Sequence, residues 1–105
     1  MKSLWRSFFG FSDDNGDETF AQAMARARHL YKIKNYEEAC RILKYSEKFA
    51  DPEGIYLFGW CYWNGTGVAE DAAKAVRLWK KSAAKGYQPA IDRCDAIKDF
   101  ISYLQ

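Results

Sequence analysis

The stretch of sequence that decides the fold is residues 51–90, DPEGIYLFGWCYWNGTGVAEDAAKAVRLWKKSAAKGYQPA. Pro52 suits the first turn of a helix, where its missing N–H costs nothing, and apolar residues then recur every three or four positions. Residues 64–67 contain two glycines, which adopt backbone angles that other residues avoid. A second helical pattern begins after Asp71, a suitable N-terminal cap, and ends at Gly86. The stretch therefore predicts a helix, a glycine loop and a second helix.

These helices and their loop carry a set of residues in fixed register: Gly54, Tyr56, Phe58, Gly59, Tyr62, Gly65, Gly67, Val68, Asp71, Lys74, Ala75, Trp79, Lys81, Ala83, Ala84 and Gly86. The pattern resembles that of Sel-one-like repeats, which are relatives of tetratricopeptide repeats. Departures are mild: Gly54 and Ser82 stand where alanine is usual, and Phe58 where leucine is. The resemblance implies an all-α fold, a right-handed superhelix (solenoid) of helical hairpins that binds other proteins.

An internal repeat extends this interpretation to the rest of the chain. Three pairs of residues are each 36 positions apart, a period typical of tetratricopeptide-like units: Ala39 and Ala75, Leu43 and Trp79, Ser46 and Ser82. Residues 1–16 are predicted to form an aromatic N-terminal arm and an acidic linker. Residues 17–105 are predicted to form the repeat domain, with a first repeat over 17–50, a second over 51–88 and a single capping helix over 89–105.

The composition is that of a small folded domain. The chain has 105 residues, of which 49% are hydrophobic and 17% aromatic, so a limited but real core is expected. The net charge of +2 gives no reason to expect a nucleic acid partner. Cys40, Cys61 and Cys94 fall within helical patterns and are expected to be buried free thiols. An odd number of cysteines then predicts a reducing compartment, the cytoplasm.

Partner-binding residues are implied by the resemblance. Stacked helical hairpins line a concave face with their first helices, and such faces hold peptides or protein segments. With Gly59 as the crossing point of the two helices, the implied set is Arg28, Tyr31, Lys32, Tyr56, Trp60, Trp63, Asn64, Asp92 and Asp99. Trp60 and Trp63 lead this set, because the repeat pattern does not require tryptophan there and tryptophan is a frequent hot-spot residue. The predicted groove is basic at one end, aromatic in the middle and acidic at the other.

The start of the chain leaves alternatives open. A short, cationic helical pattern there carries Leu4, Trp5, Phe8 and Phe9. One interpretation is that it folds back over the solenoid and covers Trp60 and Trp63, so that no open groove remains. Another is that it docks in a partner or in a second copy of the chain, giving a homodimer. Contact with a membrane surface has the least support, since stable attachment needs more than one weak signal.

Catalysis and cofactor binding have little support in the sequence. The sole histidine, His29, would need to pair with Cys40, and the helix order gives no reason for the two to meet. The acidic linker lacks the ligand spacing of a calcium loop, and the glycine loop lacks the lysine of a phosphate-binding loop. No cofactor or metal is therefore expected. The predicted function is protein–protein interaction of the scaffold or adaptor type; the alternatives are a small immunity protein that neutralises a cognate toxin and, least supported, an enzyme.

Overall fold

The computed structural model describes residues 18–104, and all regular structure within that range is α-helical. Six helices follow one another: α1 Phe20–Lys32, α2 Tyr36–Leu43, α3 Pro52–Asn64, α4 Ala72–Ala84, α5 Gln88–Ala96 and α6 Lys98–Leu104. The most extensive packing joins helices that are neighbours along the chain. The all-α class predicted from the sequence is confirmed. The expectations for the N-terminal arm lie outside the described residues.

Side-chain caps begin three of the helices. Thr19 caps α1 through a reciprocal pair of hydrogen bonds with Gln22. Asp51 accepts a hydrogen bond from the Gly54 N–H at 2.7 Å, and Asp71 accepts one from the Lys74 N–H at 3.1 Å. Each carboxylate or hydroxyl satisfies an amide that the helix itself leaves unpaired. The predicted starts of α3 and α4 are therefore confirmed.

The glycine loop between α3 and α4 uses the backbone angles that the sequence predicts. Gly65 has φ 67° and Gly67 has φ 74°, in the left-handed region that favours glycine. Gly67 also lies close to α2: a Cβ added there would be 3.1 Å from the Cβ of Cys40. The loop therefore packs back on the first hairpin as well as reversing the chain.

Two helices differ from the sequence prediction. The helical pattern after Tyr36 continues to Phe49, but α2 ends at Leu43 and residues 44–50 form turns. There the Ser46 hydroxyl donates to the Leu43 carbonyl at 2.6 Å, a local bond that competes with continued helix. The predicted single capping helix is also two helices, α5 and α6, which meet at Ile97 with φ −115° and ψ 21°.

The cysteines require a correction. Cys40 of α2 and Cys61 of α3 are not free thiols but form a disulfide, with their Cα atoms 6.1 Å apart. Both are buried, as expected, yet their spacing in the sequence gives no sign of the pairing, because the contact arises where two hairpins meet. Cys94 is a half-buried free thiol. Since Cys40 is bonded to sulfur, it is not available as a nucleophile for His29.

The disulfide predicts a measurable loss of stability on its removal. The paired residues are 21 positions apart, and closing a loop of this size in the unfolded chain is worth about 3 kcal/mol. Replacing Cys40 and Cys61 together by serine should lower the free energy of unfolding by roughly that amount, as measured by urea denaturation. Cys94→Ser is the matched control and should change little. Thiol titration of the unreduced, denatured protein should find the Cys94 thiol alone; three thiols would contradict the pairing.

Trp79 holds the two helices of the second hairpin together. It is fully buried, and its indole Nε1 donates to the carbonyl oxygen of Tyr56 at 3.1 Å. It lies directly against Gly59, where an added Cβ would be 2.5 Å from Nε1. Gly59 is thus the crossing point that the sequence predicts. The corresponding residues 36 positions earlier are Ala23 and Leu43, both buried in one apolar cluster.

This pairing of glycine with tryptophan can be tested by a double-mutant cycle. Gly59→Ala should destabilise the protein by about 1–3 kcal/mol, since the added methyl group overlaps a rigid, buried ring. In a Trp79→Leu background the same change should cost much less, because it reproduces the alanine and leucine of the first hairpin. Urea denaturation of the two single variants and the double variant gives the coupling energy. Additive effects would contradict close packing at this crossing.

Candidate partner-binding surface

Four half-buried aromatic residues lie on α1, on α3 and just before α5; we call them together the aromatic face. Its members are Tyr31 of α1, Tyr56 and Trp60 of α3, and Tyr87, the residue before α5. The ring centroid of Tyr56 lies 5.5 Å from that of Tyr87 and 6.4 Å from that of Trp60. Tyr31 lies near enough to Tyr56 for the two hydroxyls to interact electrostatically. The face therefore spans the two predicted repeats and the capping region.

Charged residues border the aromatic face. Arg28 of α1 and Glu53 of α3 form an ion pair at 3.4 Å, and both are partly exposed, so the pair adds little stability. Burial raises the pKa of Tyr31 to about 12, assisted by Tyr36 and Tyr56. Burial, with Glu53 as the next cause, also raises the pKa of Tyr87. Partial burial is therefore the main cause of both raised pKa values.

Next to the aromatic face, Arg93 of α5 lies among three tryptophan rings; we call this group the Arg93 cage. Its guanidinium carbon is 4.6 Å from the ring centroid of Trp60, 5.2 Å from that of Trp63 and 4.9 Å from that of Trp79. Trp79 in turn contacts Trp60 and Trp63 at centroid distances of 5.0 and 5.2 Å. Cations over indole rings are stabilised by the ring quadrupole, so the cage attaches α5 to the α3–α4 hairpin.

The residues predicted to bind a partner fall into three groups. Arg28, Tyr31, Tyr56 and Trp60 meet on or beside the aromatic face. Trp63 lies in the Arg93 cage and packs on Phe100 of α6 at 5.4 Å. The remaining residues are exposed and outside both groups: Lys32, Asn64, Asp92 and Asp99.

Three residues of this region were missed by the sequence analysis: Glu53, Tyr87 and Arg93. The available signal for Tyr87 was its position, an aromatic residue immediately before the predicted C-terminal helix. Arg93 gave no signal, since a single arginine in a helix is ordinarily solvated. Its position depends on the three tryptophans that the fold brings together.

The two tryptophans predicted as exposed are half-buried within the described residues. The groups that cover them come from the C-terminal helices, namely Arg93 and Phe100, and from Trp79. Substituting Trp60 or Trp63 would therefore disturb packing as well as any partner contact. Tyr31 and Tyr87 are better probes of binding, because no buried helix crossing depends on them.

Elsewhere on the described part of the chain, the cations of α4 and the residue after it are exposed, as expected of a solvated face: Lys74, Arg77, Lys80, Lys81 and Lys85. Among residues 18–104 no helix combines the length and apolar character that crossing a membrane requires. The same range contains no cluster of three potential metal-ligating His, Cys, Asp or Glu side chains.

Comparisons with known proteins add no relative: no protein-family model, no curated protein and no solved structure matches this chain. Its function must therefore be argued from its own residues.

The raised pKa of Tyr31 predicts how stability changes in alkali. The folded protein keeps the Tyr31 proton up to about pH 12, whereas an unfolded chain releases it near pH 10. The contribution of Tyr31 to the free energy of unfolding is therefore fully present below pH 10 and declines as the pH rises toward 12. In urea denaturation between pH 8 and 11.5, Tyr31→Phe should lose less stability with rising pH than the natural chain.

The control for this titration is Tyr103→Phe, because Tyr103 is 86% exposed. Absorbance at the tyrosinate band should also show a late-titrating tyrosine that Tyr31→Phe removes. Identical alkaline profiles for the natural chain and Tyr31→Phe would contradict the burial of this hydroxyl.

Proposed function

We propose that this chain is a protein–protein interaction module, a short Sel-one-like and tetratricopeptide-like solenoid of the scaffold or adaptor type, which holds a segment of a partner on the aromatic face. The observation that carries the proposal is a group of half-buried aromatic residues from three separate parts of the chain. Tyr56 is in ring contact with Trp60 and with Tyr87, and Tyr31, also half-buried, has its pKa raised in part by Tyr56.

The repeat interpretation is supported by matched burial. Both members of each pair 36 positions apart are fully buried, with exposures of 0%: Ala39 and Ala75, Leu43 and Trp79, Ser46 and Ser82. Packing mainly between consecutive helices is also what a stack of hairpins requires, since each repeat contacts only its neighbours. In that arrangement α1, α3 and α5 are the first helices and line the concave side.

The chemistry of the face suits a protein segment. Tyrosine and tryptophan combine a large apolar ring with a polar tip and are enriched where proteins meet. They also lose little side-chain entropy on binding. Tyrosine hydroxyls can donate hydrogen bonds, and the carbonyl groups of an extended segment are suitable acceptors. The ion pair between Arg28 and Glu53 gives the border of the face both signs of charge.

The compartment in which this binding occurs depends on the disulfide. Disulfides persist in oxidising compartments and are uncommon in a reducing cytosol. The cytoplasmic location expected from the odd number of cysteines therefore stays a prediction, and the thiol content of the protein isolated with its free thiols blocked at lysis would decide it.

The proposal is tested by site-specific photo-cross-linking in the cell of origin. A photoreactive phenylalanine analogue placed at Tyr31 or at Tyr87 should cross-link to the same partner protein. The matched controls are the same analogue at Tyr103 of α6 and at Lys80 of α4, both exposed, where that partner should not be captured. Equal capture from the control positions, or none from Tyr31 and Tyr87, would overturn the proposal.

A further inference from the structure

The side chain of Arg93 is held firmly yet has unused hydrogen-bonding capacity. Three tryptophan rings lie within 5.2 Å of its guanidinium carbon. Its Nε is buried and has no hydrogen-bond partner. Within residues 18–104 no carboxylate forms an ion pair with it, and the residue is half-buried rather than fully buried.

Arginine is not the simplest residue with which to pack this helix. An aliphatic side chain among the same rings would leave no buried donor without a partner, which is unfavourable. The cation–π contacts offset this cost. What only arginine adds is a planar fork of donors kept in one orientation, and that fork matches the two oxygens of a carboxylate.

We propose that Arg93 binds a side-chain carboxylate of the partner, so that the segment held on the aromatic face carries an aspartate or glutamate next to its apolar contacts. This inference rests on the proposed function. Trp60 belongs both to the aromatic face and to the Arg93 cage, so the two binding features adjoin. A segment whose apolar side chain lies on Tyr56 and Trp60 reaches Arg93 with a neighbouring residue.

The aspartates near Arg93 in the sequence do not form an ion pair with it. The nearest carboxylate in sequence, Asp92, accepts a hydrogen bond from Gln88 Nε2 at 2.8 Å and makes no ion pair with Arg93. Asp95 and Asp99 are exposed on α5 and α6 and likewise make none. Because the guanidinium is already fixed by the rings, a carboxylate that binds it does not have to immobilise a flexible side chain.

The first test uses the unmodified chain and a defined probe. In ¹⁵N-correlated NMR spectra the Arg93 Nε–H should give a sharp signal, because this group is buried. The tryptophan rings should shift that signal upfield. Titration with N-acetyl-glutamate amide at millimolar concentration should move this signal, whereas N-acetyl-glutamine amide, its neutral isostere, should not. Equal shifts with both probes, or no shift with either, would overturn a carboxylate site at Arg93.

The second test selects ligands without assuming a partner. A random-peptide display library panned on the natural chain should yield peptides enriched in aspartate or glutamate beside an aromatic or apolar residue. The Arg93→Gln variant should bind these peptides about tenfold or more weakly, since a charge-assisted hydrogen bond contributes about 1.5–3 kcal/mol. Tyr87→Ala should weaken all selected peptides, acidic or not.

The outcomes separate this inference from the proposed function. The selected peptides could depend on Tyr87 but show no acidic enrichment, or could bind Arg93→Gln as well as the natural chain. Either result would overturn the carboxylate site and would still support binding on the aromatic face. Peptides whose binding is indifferent to Tyr87 and Tyr31 overturn the proposed surface itself. If Arg93→Gln fails to fold in circular dichroism, Arg93→Lys takes its place; it keeps the charge, loses the planar fork, and should still reduce the preference for acidic peptides.

Discussion

Trp79 crosses α3 at Gly59, with its indole N–H bound to the Tyr56 carbonyl, and the second half of the molecule is built on this contact. Glycine at the crossing allows the ring to reach the backbone of α3, so the hairpin closes around a fully buried indole. The ring then supplies a surface for Trp60, Trp63 and Arg93. One side chain thereby joins α3, α4 and α5.

The local features of the fold were predictable from the sequence, because they depend on residues close together in the chain. Proline at the start of α3, aspartate before α4 and glycine at positive φ in the loop each act on their own turn. The errors arose where tertiary contacts decide. Apolar spacing alone could not show that α2 ends at Leu43, or that the C-terminal segment divides at Ile97. The Cys40–Cys61 pairing depends on how two hairpins meet, which sequence spacing does not report.

The candidate site likewise contains residues that helical register predicts and residues that only tertiary contacts bring together. Carrying one helical register along the chain predicted Arg28, Tyr31, Tyr56 and Trp60, which lie on or beside the aromatic face. The same register predicted Lys32, Asn64, Asp92 and Asp99, which are exposed residues outside it. Partner binding by either set stays a prediction. Register predicts the side of a helix, but it does not predict which side chains of different helices touch. The Arg93 cage needs three helices in place at once, and so no pattern in the sequence marks it.

The disulfide and the Arg93 cage lie at junctions between the helices that carry the aromatic face. Packing between α2 and α3, the junction of the two hairpins, is less extensive than packing within either hairpin. The Cys40–Cys61 disulfide crosses this junction, and the Arg93 cage secures the junction of α4 with α5. The disulfide and the cage therefore add a covalent bond and cation–π contacts at two junctions close to the aromatic face. Links of this kind favour a pre-organised surface, and a pre-organised surface loses less entropy when a ligand binds.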